Sequence, residues 1–140
     1  ILNDIAACGG DAEAVRLGQP SQAIELMVSY LYDTIARGNP VGLFGMVNVL
    51  EGTSIALATQ AAGTIQQRLA LPPQAFSYLT SHGALDIGHM QHYRELMNRL
   101  ERDEDKAAVI HVSKVVYRLY ADMFRGLPRT VQNEVQHALA

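Results

Sequence analysis

The chain has 140 residues, of which 49% are apolar, so it is long enough for one domain with a substantial core and too apolar to be disordered. Its net charge of −3 and the lack of any basic block argue against nucleic acid as a partner. The single cysteine, Cys8, excludes an internal disulfide, so we expect a reducing, cytoplasmic setting and a small, buried Cys8.

Helix signals are frequent along the chain, and the alternating runs typical of strands are missing. Residues 1–10 resemble the end of a helix closed by glycines, so we expect this chain to be the C-terminal part of a longer polypeptide. Positions 9–19 are predicted to be a loop with at most one short turn. Pro20 and Ser21 then open a helix predicted at 22–37, because its apolar residues recur every three or four positions.

The next predicted helix, at 41–69, is long and nearly uncharged, and Glu51 is the only charged residue at positions 38–67. A buried carboxylate without a partner is costly, so it either takes up a proton or finds a cation. A metal ion is one such cation, and an arginine of another helix, such as Arg94 or Arg118, is another. Polar residues and glycines within the helix favour close helix packing, so we expect no membrane span.

Shorter elements follow. Leu71 and two prolines end the long helix, a short helix is predicted at 74–79, and Thr80 or Ser81 is expected to cap a helix that continues to about Arg99 or Arg102. A charged connector leads to a helix predicted at 104–124. A last helix is predicted at 129–139.

The helix that follows position 80 carries His82, Asp86 and His89. Separations of four and three residues place these side chains within roughly 60° of one another on one helical face. Two imidazoles and a carboxylate can bind a transition metal, and Glu51 would add a fourth ligand. A solvated or hydrogen-bonded polar face is the alternative that spacing alone leaves open.

Other ligand-type residues have plainer interpretations. Tyr93 returns to the same face one turn beyond His89, so it is a candidate hydrogen-bond donor or redox-active neighbour, with an ordinary core tyrosine as the alternative. His92 falls off this face, and His111 is expected to be a packing or interface residue. His137 is expected to face solvent.

Glu51 together with the His82-x3-Asp86-x2-His89 pattern, on consecutive long helices, resembles the haem-oxygenase-like di-iron oxidase and oxygenase superfamily. That superfamily shares its fold with the TenA thiaminases and the oxidase of pyrroloquinoline-quinone synthesis. The resemblance implies an all-α, haem-oxygenase-like helical bundle without its N-terminal helices, forming a single domain over 1–140.

In that superfamily six side chains hold two irons, and Glu51, His82, Asp86 and His89 match four of the six. The other two, a Glu and a His, come from helices nearer the N-terminus. This chain has no histidine before His82, and its early glutamates fall in a different context. The resemblance therefore implies iron as the cofactor and only a partial match to the two-iron ligand set.

The resemblance implies a non-haem iron, O₂-dependent oxidase or oxygenase that acts on a small organic amine, amino acid or fatty acid. Its partners would be that small molecule, O₂ and a second copy in a homodimer. Two alternatives stay open: a metal-free enzyme of the same fold that uses acid–base groups, and a non-catalytic helical dimerisation or ligand-binding module. The residues expected to shape a substrate cavity are Phe44, Val47, Ile55 and Leu85.

Overall fold

The computed structural model describes residues 1–128, and over these residues the chain is helical and contains no strand. The predicted all-α fold is confirmed. The elements in chain order are α1 (Leu2–Ala7), α2 (Ala12–Leu17), α3 (Gln22–Arg37), a 3₁₀ turn (Pro40–Leu43), α4 (Phe44–Leu69), a second 3₁₀ turn (Pro73–Phe76), α5 (Ser77–Met97) and α6 (Asp103–Arg125). The predicted helix at 129–139 and His137 lie outside the described residues.

The longest helix, α4, is the centre of the bundle and packs along both α5 and α6, while α3 packs on α6. The main core lies where these helices meet, at Val49, Val112 and Val116. Val116 is fully enclosed. Gly45 allows the close crossing of α4 and α6, because a Cβ at this position would stand 2.5 Å from the Val109 carbonyl oxygen.

A second, smaller core joins the N-terminal helix to the start of α5. Ala62, Ala75 and Phe76 are buried there. The buried carboxylate of Asp4 accepts hydrogen bonds from the Ser77 hydroxyl and, at 2.7 Å, from the Tyr78 amide, so a residue of α1 caps the first turn of α5. This cap fixes the N-terminal end of α5, which is where the polar face of that helix begins.

Three sequence predictions are corrected here. The short helix expected at 74–79 is a 3₁₀ turn that ends at Phe76, and α5 begins at Ser77 without a cap from Thr80 or Ser81. Those two hydroxyls instead donate to carbonyl oxygens of the preceding turn, since the distant Asp4 already supplies the cap. Cys8 is exposed rather than buried, because it lies at the open C-terminal end of a six-residue helix.

Other boundaries agree closely with the sequence. The helix predicted at 22–37 has those bounds, and α6 begins one residue earlier and ends one residue later than predicted. The prediction of a loop at 9–19 was wrong, because the segment contains the six-residue helix α2, which Asp11 caps by accepting hydrogen bonds from two backbone amides. Asn39 donates to Asp105 at 2.7 Å, which joins the turn before α4 to the first turn of α6.

The segment Pro40–Leu69 is long and apolar enough to cross a membrane by length and composition, and 22% of its most apolar stretch is buried. In the structure its buried side contacts α5 and α6 of the bundle. Side chains on its other side are exposed, among them Ile55, Leu57, Ile65 and Leu69. Much of this apolar helix is therefore uncovered by the described part of the chain.

Candidate metal centre

Two neighbouring long helices, α4 and α5, bring two carboxylates and one imidazole to a common point. Glu51 projects from the first third of α4, and Asp86 and His89 project from the middle of α5. The His89 Nδ1 atom lies 3.6 Å from Glu51 Oε2 and 3.4 Å from Asp86 Oδ1. One donor atom from each residue lies within 4.8 Å of the other two, a spacing at which a single ion can contact all three.

Of the three side chains, the Glu51 carboxylate has the hydrogen-bonding capacity that is least satisfied. Its Oε2 atom is buried and accepts no hydrogen bond. The 3.6 Å separation from His89 exceeds hydrogen-bond length, so the imidazole does not satisfy this oxygen. A buried acceptor left in this state is costly unless a cation binds to it.

The charges near this point do not balance within residues 1–128. Asp86 is 3% exposed, and neither its carboxylate nor that of Glu51 forms an ion pair with a lysine or arginine. The alternative in which Arg94 or Arg118 neutralises Glu51 is therefore not what the structure shows. Two uncompensated carboxylates beside an imidazole are a donor set suited to iron and related metals.

His82, the fourth predicted ligand, lies outside this group of three. Its Nδ1 atom is 2.9 Å from the Tyr78 carbonyl oxygen, and its ring stacks on that of Tyr78 with centroids 4.0 Å apart. A protonated Nδ1 can donate to this carbonyl, and in the neutral imidazole that donation leaves the lone pair on Nε2. A backbone carbonyl that receives the remote N–H in this way is typical of metal-binding histidines.

A cavity of about 460 Å³ adjoins one side of the three residues. Phe44 and Val47 line it, as predicted for a cavity near the site, together with Tyr93. Tyr93 is half-buried, and burial raises the pKa of its phenol above the ordinary value of 10.0. This phenol therefore stays protonated at neutral pH and keeps its capacity to donate a hydrogen bond.

A larger cavity of about 700 Å³ lies on the other side and shares Glu51 with the first. His82 and Asp86 also line it. The prediction was wrong for Ile55 and Leu85, which are exposed and line neither cavity. The position of a residue on a predicted helix does not fix the direction in which a neighbouring helix lies.

Sequence reasoning missed three aromatic residues of the larger cavity. Tyr78 comes from the start of α5, and Tyr120 and Phe124 come from the last turns of α6, where their rings meet edge to face at 5.0 Å. The only signal in the sequence is their apolar spacing on predicted helices, which core residues share. His111, expected to pack or to lie in an interface, is exposed on α6 and is not buried among residues 1–128.

An all-helical bundle whose two central helices hold two carboxylates and an imidazole at one point has the features of a metal-dependent helical enzyme. Over residues 1–121 the sequence matches the family of iron-containing redox enzymes, and the chain belongs to that family. The predicted haem-oxygenase-like relationship is thereby confirmed, as is an iron-dependent oxidoreductase in general terms. Comparisons with curated proteins and with solved structures give no match.

Proposed function

We propose that this chain is a non-haem iron oxidoreductase that uses O₂ to oxidise a small organic amine, amino acid or fatty acid. The observation that carries the proposal is the buried Glu51 Oε2 atom, which lacks a hydrogen bond and faces two further donors from α5. Membership of the iron-containing redox family supports iron as the metal.

In this proposal Glu51, Asp86 and His89 hold iron, and His82 is the fourth ligand through its Nε2 atom. The Tyr78 carbonyl keeps the His82 ring in the tautomer that ligation requires. Iron held by mixed imidazole and carboxylate ligands supplies one-electron redox chemistry and open positions for O₂. The protein supplies the rest: α4 and α5 fix the donors, and the mainly apolar cavity walls provide a binding surface for the substrate.

Tyr93 is the residue proposed to assist from the smaller cavity. Its protonated phenol can donate a hydrogen bond towards the side of the site that Glu51 and His89 share with this cavity. We propose one iron for this donor set, because the four matched ligands suffice for one ion. A second ion would need donors beyond the four.

Anaerobic Fe(II) titration of the whole protein tests the ligand assignment. Alanine at Glu51, Asp86 or His89 removes one donor each, and we expect Fe(II) affinity to fall at least about tenfold in each case, since even outer groups at metal sites are worth that much. His111→Ala is the control, because His111 is an exposed histidine of α6 that lines neither cavity, so its loss should leave iron affinity unchanged.

Three outcomes contradict the proposal. Unchanged iron binding in the Glu51 and His89 variants would show that these residues do not form a metal site. Full catalytic activity after exhaustive chelation would favour the metal-free enzyme of the same fold. Wild-type protein that binds iron without consuming O₂ for any amine, amino acid or fatty acid would contradict the O₂-dependent oxidation.

The remaining partners are also proposals. We propose a cytoplasmic homodimer that binds neither nucleic acid nor membranes, supported by the slightly acidic composition and by the uncovered apolar side of α4. Sedimentation velocity is expected to give twice the monomer mass, and a monomer at micromolar concentration would contradict it. Flotation with lipid vesicles is expected to leave the protein unbound.

A further inference from the structure

A buried carboxylate outside the metal centre is linked to one of the proposed ligands by hydrogen bonds. Asp4 of α1 is 4% exposed, and its carboxylate accepts from the Ser77 hydroxyl and, at 2.7 Å, from the Tyr78 amide. The carbonyl oxygen of Tyr78 in turn lies 2.9 Å from Nδ1 of His82. Tyr78 therefore contacts Asp4 through its amide and His82 through its carbonyl oxygen.

Tyr78 lies in the first turn of α5, where backbone amides have no acceptor within the helix. Phe76, the residue before this turn, supplies no capping group, and Asp4 supplies one from 74 positions away from Tyr78 in sequence. While the turn is held, the Tyr78 carbonyl stays directed at His82 and the two rings stay stacked, with centroids 4.0 Å apart. Loss of the cap would loosen two contacts that orient the imidazole.

A small apolar core keeps α1 where Asp4 can reach α5. Ala7 of α1 and Leu79 of α5 both pack on the buried Ala75 and Phe76, and α1 contacts the second 3₁₀ turn. Burial of a carboxylate costs free energy that apolar packing does not return. The effect of Asp4 therefore lies in the two α5 donors that it binds.

We propose that Asp4 is a positioning residue for the metal centre. By holding the first turn of α5, it keeps the His82 imidazole in the orientation and tautomer in which Nε2 can bind the metal. This inference rests on the proposed function, which takes His82 as the fourth ligand. It makes the docking of α1 a condition for tight metal binding, so the N-terminal helix and the metal are coupled.

Nitrogen NMR of the imidazoles in the whole, metal-free protein at mildly alkaline pH tests the tautomer. The wild type should carry the His82 proton on Nδ1, and Asp4→Ala should show a mixture of the two tautomers. Asp11→Ala is the matched control, because Asp11 also caps a helix by accepting from two backbone amides, but that helix is α2. An unchanged His82 tautomer in Asp4→Ala would overturn the proposal.

Anaerobic Fe(II) titration measures the consequence for the metal. Asp4→Ala should weaken Fe(II) binding about tenfold, which is the lower end of the effect of groups that orient metal ligands. Asp4→Asn should lose less, since its amide oxygen can still accept one of the hydrogen bonds. Asp11→Ala should bind Fe(II) as the wild type does, and an equal loss in that variant would contradict a specific role for Asp4.

A double-mutant cycle separates positioning from general stability. In the His82→Ala background, Asp4→Ala should cause no further loss of Fe(II) affinity, because the ring that Asp4 orients is missing. An equal loss in both backgrounds would show that Asp4 acts through the stability of the fold and would overturn the positioning role. If Asp4→Ala fails to fold, Asp4→Asn is carried through the same cycle.

Failure of this inference differs from failure of the proposed function. A wild type that binds no Fe(II) would contradict the proposed function, whatever the tautomer of His82. A wild type that binds Fe(II), with an Asp4→Ala variant of unchanged affinity and unchanged His82 tautomer, would overturn the positioning role alone.

Discussion

Individual residues show which parts of the site can be predicted from the sequence. Glu51 was identified because a charge within a long apolar run is visible without any knowledge of the fold, and the structure places its carboxylate beside two α5 donors. His82 shows the limit. Helical spacing fixes where its Cβ lies, but stacking on Tyr78 determines where the imidazole points, and no spacing rule contains that contact.

The unsatisfied oxygen of Glu51 leads to a prediction about stability without metal. Replacing Glu51 by Met removes a buried acceptor that has no partner, so the metal-free variant should be more stable than the metal-free wild type by about 1 kcal/mol. Urea unfolding in the presence of a chelator measures the free energy of unfolding. Glu25→Met, at an exposed position of α3, is the control and should change it little.

Added Fe(II) should reverse this order. The wild type gains stability from a ligand that binds only the folded state, and the Glu51→Met variant gains much less. A Glu51→Met variant that is less stable than the wild type in chelator would indicate that Glu51 already has a satisfying partner in the protein.

Among the elements, α4 depends on a glycine where it crosses α6. A methyl group at Gly45 would meet the Val109 carbonyl oxygen and the Ser113 amide at 2.5 and 2.6 Å, and backbone atoms cannot rotate away. Gly45→Ala should therefore destabilise the fold by about 2 kcal/mol. Gly63→Ala is the matched control on the same helix, since a Cβ there meets no atom within 4 Å.

The control should move in the opposite direction. Alanine at an open helical position restricts the unfolded chain and favours the helix, so Gly63→Ala should stabilise by about 0.5–1 kcal/mol. Chemical denaturation of both variants measures the difference. Equal effects at the two glycines would mean that α4 and α6 do not approach as closely as described.

The cap between α1 and α5 predicts a pH dependence. Hydrogen bonds from the Ser77 hydroxyl and the Tyr78 amide lower the pKa of the Asp4 carboxyl below its ordinary value of 3.8. Because the pKa of Asp4 is lower in the folded state, the ionised carboxylate stabilises the fold fully above about pH 4. This stabilisation is lost as the pH falls through the pKa of Asp4 in the folded protein. The Asp4→Asn variant should therefore unfold at a lower temperature than the wild type at neutral pH.

That difference should shrink on acidification below about pH 4. Thermal unfolding as a function of pH is the measurement, and Asp103→Asn, at an exposed carboxylate of α6, is the control. A difference between wild type and Asp4→Asn that stays constant to the lowest pH would exclude the carboxylate as the source of the stabilisation.

The bounds of some helices could be predicted from the sequence and those of others could not. The difference is whether the residues that set a helix end are its neighbours in the chain or lie far away in sequence. The bounds of α3 follow from local features, namely a proline and serine before the first turn and a glycine after the last. The start of α5 does not, since its capping group is Asp4, 73 and 74 positions away from the residues that it binds. Local patterns cannot report a tertiary cap.

For the whole molecule, periodicity predicted the helices, and the resemblance carried by a few ligand-type residues predicted the bundle and the family that the match over residues 1–121 confirms. Neither source gave the cavities, because their shape depends on how α4, α5 and α6 are oriented around one another. Two cavities meet at Glu51, one apolar and long, the other shorter and lined by Tyr93. The molecule thus provides separate spaces on either side of the proposed metal site.

The most direct measurement is anomalous diffraction at the iron edge from crystals of the protein loaded anaerobically with Fe(II). We predict one anomalous peak within bonding distance of Glu51, Asp86 and His89, with the His82 Nε2 atom as the fourth ligand. The absence of a peak at these residues, or a peak held elsewhere while Glu51 contacts an arginine, would contradict the account.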